Sequence, residues 1–404
     1  MKRNLLFISA LTLISFSVQA QEKVANVEHS IIYHQPGRFS AWPANNGVFL
    51  FDEKEILVGF TEAKYKLNKS HNGEAPFLSW LGRSVDGGKT WTTWDPEGYA
   101  GDFGAHPELK KLDSPLNFKA PGFALRVVGT SYHGNEDERS HFFYTYDRGK
   151  TWQGPYSFGD ILAWKELRES GLDELSPRTD YVVLSKNECL VFMSARKSDL
   201  FGSDRLFCIK TIDGGRSFTF QGWVVGPANH PDNNPKVELF ADATKNPAAN
   251  QCRAVMSQTV RLKNGALFAT IRRKFVADDR KEYHWIDGYT STDGGKSWKF
   301  TSKIADTGGS NGNPPACTLT KDGRICVVYG ERTQGTIRVV YSSDNGQNWT
   351  NPQILMDGFW SEDMELNDLG YPRVVSLKNG SLVAMYYYST REHLHHIRAS
   401  IWKP

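Results

Sequence analysis

The chain has 404 residues, of which 39% are hydrophobic and 23% are charged, and its formal net charge is +3. This composition allows a sizeable core and excludes a disordered chain, while the small charge gives no electrostatic argument for a nucleic-acid partner or a polybasic membrane anchor. The high counts of aromatic residues and glycine (23 Phe, 16 Tyr, 12 Trp and 36 Gly) favour a protein made of strands and tight turns.

Residues 1–20 have the pattern of a secretory signal. Two basic residues precede a mostly apolar run from Leu5 to Val18, and the small-residue sequence that ends at Ala20 is typical of a cleavage site. The apolar run is too short for a confident membrane span. We therefore predict a signal peptide that is cleaved after Ala20, a single domain over residues 21–404, a secreted or periplasmic location, and no membrane insertion.

The five cysteines are interpreted as small buried strand residues. Their number is odd, so at least one is unpaired, and none has the C-x-x-C spacing of a zinc site. Cys317 and Cys326 flank a turn and are candidates to face each other across a hairpin. We predict no metal and no cofactor.

One short pattern, Ser/Thr-x-Asp-x-Gly-x-polar-aromatic, recurs five times in the chain. The copies are Ser84–Trp91, Thr145–Trp152, Thr211–Phe218, Ser291–Trp298 and Ser342–Trp349. The Asp carboxylate and the Ser/Thr hydroxyl can bond the amides of a turn, the glycine supplies the positive φ angle, and the aromatic ring packs beneath. The five aspartates are therefore predicted to be structural rather than catalytic.

This motif is the Asp-box, and its arrangement resembles that of the sialidase-like (BNR-repeat) β-propellers. Between the boxes a second strand-turn-strand unit recurs, with Asn-Gly or Asp-Gly at its turn, which gives four strands to each blade. A strand at residues 393–402 has no box after it, and a lone strand lies at residues 27–33. Pairing the two closes the ring, so we predict an all-β, six-bladed β-propeller, with one helical decoration at residues 161–169. Two separate sandwich domains would leave both end segments unexplained.

Topology decides which side chains can meet. In a four-stranded blade, the boxes mark one face of the ring, while the loops between strands two and three and between successive blades lie on the other face, at the open mouth of the ring. The polar candidates on that second face are Arg38, Glu62, His71, Glu74, His133, Arg178, Arg196, His230, Arg272, Arg273, Arg332 and Tyr371.

The resemblance to sialidases implies roles for four of these residues. It implies three arginines around a substrate carboxylate, which the spacing assigns to Arg38, Arg272 and Arg332, with Arg338 as a competitor for the third place. It also implies a tyrosine nucleophile at the opening of blade six, where Tyr371 has the matching spacing.

Two positions depart from the family pattern. Met256 stands where the glutamate that activates the tyrosine is expected. The nearest counterpart of the acid/base aspartate in the blade-one loop is Glu74, with His71 close by. Retaining sialidase chemistry would therefore lack its activator, since a neutral tyrosine has a pKa near 10 and is a poor nucleophile.

A tyrosine among arginines has another use. Positive neighbours lower its pKa, so it can shuttle protons, and arginines that neutralise a uronate carboxylate make the hydrogen on the adjacent carbon more acidic. Three hypotheses stay open. The first is β-elimination, by a lyase or dehydratase, on uronic-acid-containing oligosaccharides, with Tyr371 and one of His133, His71 and His230 as acid/base. The second is a retaining exo-sialidase or related glycosidase that uses Tyr371 as nucleophile and Glu74 as acid/base, and the third is a non-catalytic glycan-binding propeller.

All three hypotheses predict an acidic oligosaccharide or polysaccharide as the partner. The predicted catalytic residues are Tyr371, Glu74 and His133. The predicted substrate-binding residues are Arg38, Arg272, Arg332, Arg178, His71 and His230.

Overall fold

The structure, a computed structural model, describes residues 22–68, 71–97, 99, 108–129, 140–198, 203–227, 253–276, 281–309, 312–362 and 367–404. Within these residues almost all regular structure is β, arranged as six antiparallel sheets. The predicted six-bladed β-propeller is confirmed. In the described part of the chain, no helix has the length and apolar character that a membrane crossing requires.

Blades 1 to 3 follow one another along the chain after a first strand, β1 (Glu28–Tyr33), that belongs to the last sheet. Blade 1 consists of β2 (Arg38–Ala41), β3 (Val48–Phe51), β4 (Glu55–Tyr65), β5 (Gly73–Ser84) and β6 (Thr92–Trp94). The described strands of blade 2 are β7 (Ala124–Val128), β8 (His141–Thr145) and β9 (Gln153–Ser157). Blade 3 consists of β10 (Glu174–Leu175), β11 (Tyr181–Val183), β12 (Cys189–Arg196), β13 (Arg205–Thr211) and β14 (Thr219–Val225).

Blades 4 to 6 are regular four-stranded sheets. Blade 4 consists of β15 (Arg253–Arg261), β16 (Leu267–Val276), β17 (Glu282–Ser291) and β18 (Lys299–Asp306). Blade 5 consists of β19 (Ala316–Leu319), β20 (Ile325–Glu331), β21 (Thr336–Ser342) and β22 (Gln353–Met356). Blade 6 consists of β23 (Gly370–Ser376), β24 (Leu382–Tyr388), β25 (His396–Trp402) and β1.

Both ends of the chain contribute to blade 6. Strand β1 runs antiparallel to β25, with Glu28 opposite Ile401 and Ile31 opposite Arg398. The edge of β25 is thereby paired within the sheet rather than left open to another chain.

Six apolar clusters within the described residues hold the blades together, one between each pair of neighbouring blades. Successive side chains of a strand point to opposite faces of its sheet, so one strand serves two clusters. On β8, for example, Phe142 packs towards blade 3 and Phe143 towards blade 1. This alternation places the core between the blades and leaves polar side chains free to gather at the ends of the ring.

The box in blade 4 shows how each Asp-box is built. Asp293 accepts hydrogen bonds from the hydroxyls of Ser291 and Ser297 and from the backbone N–H of Ser297 at 3.0 Å. The indole of Trp298 is buried and donates to the carbonyl of Gly295 at 3.1 Å. In all five boxes the N–H of the glycine at the fifth position donates to the Ser or Thr hydroxyl at the first position. These contacts give the box aspartates the structural role that the sequence predicts.

Two local predictions need comment. Between β9 and β10 the helical segment is a 3-10 turn (Ile161–Ala163) followed by a short helix (Lys165–Glu169), and a further four-residue helix, Pro43–Asn46, lies between β2 and β3. The four described cysteines are free and buried. Cys317 packs between blades 4 and 5 and Cys326 between blades 5 and 6, so they lie on opposite faces of their sheet rather than facing each other.

Candidate active site

Tyr371 is the second residue of β23 and lies at the end of the ring opposite to the boxes. Its side chain is buried, and its backbone has a φ angle of 45°, in the left-handed region. Its N–H donates to Oδ1 of Asn313 at 2.8 Å. Non-glycine residues adopt such a conformation at a cost of about 1–3 kcal/mol, and they cluster at functional sites.

Arg272, on β16, contacts the phenol of Tyr371 directly. The Nη1 atom of Arg272 donates to the phenolic oxygen at 3.1 Å and lies 3.4 Å from Sδ of Met256. Met256 sits where the register of β15 shifts, with a φ angle of 58°. The place that the family resemblance gives to a glutamate is thus filled by a thioether that packs against the guanidinium.

Arg332 approaches Tyr371 from blade 5. Its guanidinium carbon lies 5.8 Å from the centre of the Tyr371 ring. Its Nη2 atom donates to the hydroxyl of Tyr387 at 2.7 Å and to the carboxylate of Asp368 at 3.2 Å, and the Tyr387 hydroxyl itself donates to Asp368. Asp368 is therefore a buried carboxylate held by an arginine and a phenol.

His71 completes the cluster from the loop between β4 and β5. Its Nδ1 lies 3.0 Å from Oδ1 of Asp368, and its ring stands perpendicular to the Tyr371 ring with 6.4 Å between centroids. Trp42 packs edge-on against the imidazole, with 4.9 Å between the ring centroids. The His71 side chain is 22% exposed, against 1% for Asp368, so the imidazole is the member of the pair that solvent and a ligand can reach.

The electrostatics of the cluster favour an ionised phenol. Burial alone would raise the pKa of Tyr371, but the positive charges of Arg272, His71 and Arg332 outweigh it and lower the pKa to about 7. Burial would likewise raise the pKa of Asp368, and His71 and Arg332 hold it below the usual value. Burial lowers the pKa of Arg272 to about 10, so that residue stays protonated at neutral pH.

A second set of charges lies further along blade 4. Glu282 bridges Nζ of Lys274 at 2.7 Å and Nε2 of His284 at 2.9 Å, and Arg253 pairs with Asp204 at 3.1 Å. Burial, together with the positive charges of Lys274 and Arg272, lowers the pKa of His284 to about 4 despite the contact with Glu282. Arg253 adds to the positive potential at Tyr371.

Four of the predicted site residues meet in this way: His71, Arg272, Arg332 and Tyr371. Arg332 takes the third arginine place beside Tyr371, whereas its competitor Arg338 binds Gln334 and Thr336.

Three other candidates have the following contacts in the structure. Arg38 forms a two-pronged ion pair with the buried carboxylate of Glu62. Glu74 is part-exposed and pairs with Lys66 at 2.6 Å, because its side chain points outward from β5. Arg178 donates to the carbonyl of Pro177 at 2.8 Å, next to Gly129.

Two predicted residues, His133 and His230, lie outside the described residues. The sequence analysis did not single out Asp368, Tyr387 or Asn313. Asp368 precedes Tyr371 by three residues in a polar loop, and only its burial separates it from an ordinary solvated carboxylate.

The sequence pattern of the BNR repeat-like domain family matches residues 110–385, two thirds of the chain. No curated protein sequence matches the chain. Among solved structures, a protein of unknown function from Dyadobacter fermentans DSM 18053 is similar with a TM-score of 0.64 and 18% identity, covering 94% of this chain and 99% of that one.

Two similar structures have named activities. A mutant alpha-L-arabinofuranosidase from Fusarium graminearum, in complex with an iminosugar inhibitor, has a TM-score of 0.55 and 14% identity over 91% of this chain and 97% of that one. The sialidase of Trypanosoma rangeli, in complex with the inhibitor DANA, has a TM-score of 0.56 and 11% identity over 94% of this chain and 60% of that one. At these identities the likeness establishes the fold alone. Together with the sequence match it shows that the chain belongs to the BNR repeat-like domain family and has the sialidase-like six-bladed propeller.

Proposed function

We propose that this protein is a secreted carbohydrate-active enzyme that acts on an acidic saccharide by β-elimination, with Tyr371 as the base. The observation that carries the proposal is the contact between Arg272 and the phenol of Tyr371, which lies beside the His71–Asp368 pair. The pKa of this phenol is lowered to about 7. A general base works best when its pKa lies near the working pH. The glycosidases among the similar folds and the secretory pattern of residues 1–20 support the saccharide substrate and the location.

In the proposed elimination, Tyr371 takes one proton from the substrate and His71 gives one to the leaving group. The Tyr371 phenolate removes the hydrogen from the carbon next to the uronate carboxylate, and the electron pair of that bond spreads into the carboxylate. The pair then forms a carbon–carbon double bond as the neighbouring carbon–oxygen bond breaks. The departing oxygen takes a proton from His71, and it leaves as the hydroxyl of a second sugar in a lyase or as water in a dehydratase.

Arg272 links the two halves of this step. In the free protein its guanidinium donates to the phenolate oxygen. When Tyr371 takes up the proton it becomes neutral, while negative charge grows on the substrate carboxylate. The same guanidinium can then stabilise the new charge by a charge-assisted hydrogen bond, which is strongest in a water-poor site.

The His71–Asp368 pair supplies the acid. Asp368 binds Nδ1 of His71, which fixes the ring and leaves Nε2 to face a ligand. Arg332 and Tyr387 both donate to Oδ1 of Asp368, the oxygen that lies nearest to Nδ1 of His71, so the carboxylate that orients the imidazole is itself fixed.

A second candidate function is a retaining glycosidase with Tyr371 as nucleophile. The specific observation in its favour is that the phenol is already activated by its neighbours, so the glutamate replaced by Met256 is not needed to remove its proton. Here Tyr371 would form a covalent bond with the sugar, which water would later break.

The two functions differ in their products. The purified protein is incubated with a panel of uronate oligosaccharides and aryl sialosides, and the products are read by ultraviolet absorbance and by mass. Elimination by a lyase gives new absorbance from the conjugated double bond and products whose masses add up to that of the substrate. Hydrolysis gives no such absorbance and adds the mass of one water. Binding without turnover of any substrate in the panel would contradict both enzyme functions and favour the glycan-binding propeller.

A further inference from the structure

One buried side chain holds the backbone on both sides of Gly370. Asn313, in the segment that leads into β19, is fully buried. Its Oδ1 accepts the N–H of Tyr371 at 2.8 Å, and its Nδ2 donates to the carbonyl of Leu369 at 2.8 Å. A single amide group of blade 5 thus satisfies two backbone groups at the start of blade 6.

The backbone at this point is unable to hold its shape by strand pairing alone. The φ angle is 103° at Gly370 and 45° at Tyr371, and the register between β23 and β24 shifts between Gly370 and Arg373. The regular ladder bonds are therefore interrupted where the strained residues lie. Left-handed tyrosine backbone persists only when its surroundings impose it.

The fit around the amide is close. A Cβ atom added to Gly370 would collide with Oδ1 of Asn313, and one added to Gly330 would lie 2.7 Å from Nδ2 of Asn313. The Asn313 side chain occupies the space that a side chain at either glycine would need. The Asn313 N–H in turn donates to the hydroxyl of Thr307 at 3.3 Å, which ties the residue to the segment that follows β18 of blade 4.

The chemistry of the site requires an amide. One atom must accept from an N–H and the other must donate to a carbonyl, and a planar carboxamide provides both at the right spacing. The Leu369 carbonyl is shared with the guanidinium of Arg332 at 3.3 Å, so Asn313 also ties Tyr371 to the second arginine of the cluster.

We infer that Asn313 is a positioning residue that aims the Tyr371 phenol at Arg272 by fixing the backbone of residues 369–371. The kinetic part of this inference rests on the proposed function, whereas the structural part does not. Asn313 acts through Tyr371 and is not itself a group that touches the reacting atoms.

The test uses the full chain with Asn313→Ala and, as a shape-conserving second variant, Asn313→Leu. The ionisation of Tyr371 is followed by phenolate absorbance as the pH is raised. Each protein is compared with the same protein carrying Tyr371→Phe, and the difference in absorbance reports Tyr371. We expect the midpoint, near pH 7 in the unaltered chain, to rise by at least about one pH unit, because the phenol no longer meets Arg272. On the best substrate of the panel, we expect kcat to fall by about 100-fold with a much smaller change in KM.

Gln258→Ala is the matched control. In the unaltered chain, Oε1 of Gln258 accepts the backbone N–H of Cys317 at 3.1 Å and so links blades 4 and 5 in the same manner. This variant should lose comparable stability yet keep the midpoint and kcat of the unaltered chain. An unchanged midpoint in both folded Asn313 variants would overturn the inference. A shifted midpoint in a chain that turns over no saccharide would support Asn313 as a positioning residue and count against the proposed function.

Discussion

The guanidinium of Arg272, on blade 4, donates to the phenolic oxygen of Tyr371, on blade 6, across 3.1 Å. The two residues are 99 positions apart in sequence, and a whole blade lies between their strands. Their contact depends on the ring as a whole rather than on any local motif. The contact also lowers the pKa of the phenol and so influences its charge at neutral pH.

Activity should depend on pH through Tyr371. Its pKa is lowered from 10 to about 7, so the phenolate is the majority form only above that value. We expect kcat/KM to rise as the pH rises through about 7, and the variant Tyr371→Phe to lack turnover while remaining folded. A pH–rate profile of kcat/KM measures the first point and circular dichroism the second. Near-normal turnover by Tyr371→Phe would exclude the phenol from the reaction.

Removing the partner of the phenol should move that profile. In Arg272→Gln the largest positive influence on Tyr371 is lost, and we expect the rising limb of kcat/KM to shift towards pH 10. The control is Arg273→Lys, since the Arg273 guanidinium is equally buried but faces Tyr289 and Asp287 instead. If both variants shift the limb to the same extent, the Arg272–Tyr371 contact is not its cause.

The carboxylate behind the imidazole should matter for rate and for stability. Asp368→Asn leaves Arg332 and His71 without the charge that both now contact, at an expected cost of about 3–5 kcal/mol in the free energy of unfolding. We expect kcat to fall by roughly 100- to 10,000-fold, because the imidazole is no longer held in one orientation. Urea unfolding and steady-state kinetics measure the two effects. His71→Gln removes the acid without removing the buried charge, so it should reduce kcat with a smaller loss of stability.

Met256→Glu distinguishes the two enzyme functions. It places a carboxylate beside the Arg272 guanidinium, where the thioether now lies 3.4 Å away. If Tyr371 is a base catalyst, the new negative charge competes for Arg272 and raises the pKa of the phenol. Elimination at neutral pH should then be slower. As a nucleophile, Tyr371 should gain a proton acceptor and hydrolysis should quicken. Product masses identify which reaction is changing.

The Asp-boxes should affect stability rather than chemistry. Asp293→Ala removes four hydrogen bonds in blade 4, with an expected loss of about 1–3 kcal/mol. The pKa of Asp293 is lowered to about 2 by the hydroxyls and amides that it binds, although burial opposes this. Its contribution is therefore complete above the unfolded value near 4 and disappears as the pH falls through about 2. Chemical unfolding should show the full difference between the two proteins at pH 7 and a much smaller one at pH 2, with kcat of the folded variant unchanged.

The architecture could be predicted because its determinants are local and repeated. Each box closes its own hydrogen bonds within eight residues, as Ser291 to Trp298 do, so its sequence specifies its turn without help from the rest of the chain. The hairpin glycines and the alternation of apolar side chains are equally local. Five copies of one unit then leave few arrangements other than a ring.

The site was predictable only in part, because it depends on side-chain direction and on neighbours from other blades. Spacing brought Arg272 and Arg332 to Tyr371. It did not reveal that Glu62 binds Arg38 or that Lys66 binds Glu74. Asp368 and Asn313 carry no motif at all, since their importance arises from burial against segments that are distant in sequence.

The pairing of β1 with β25 has a consequence for the order in which the protein folds. Blade 6 carries Tyr371 and Asp368, yet its outer strand comes from the first residues of the described chain and its neighbour from the last. Most of the described chain separates the two strands in sequence, and contacts over such a separation form slowly. The other five blades are each formed without β1, so we expect them to assemble first, and removal of β1 should leave a chain that is mostly structured but lacks a complete blade around Tyr371.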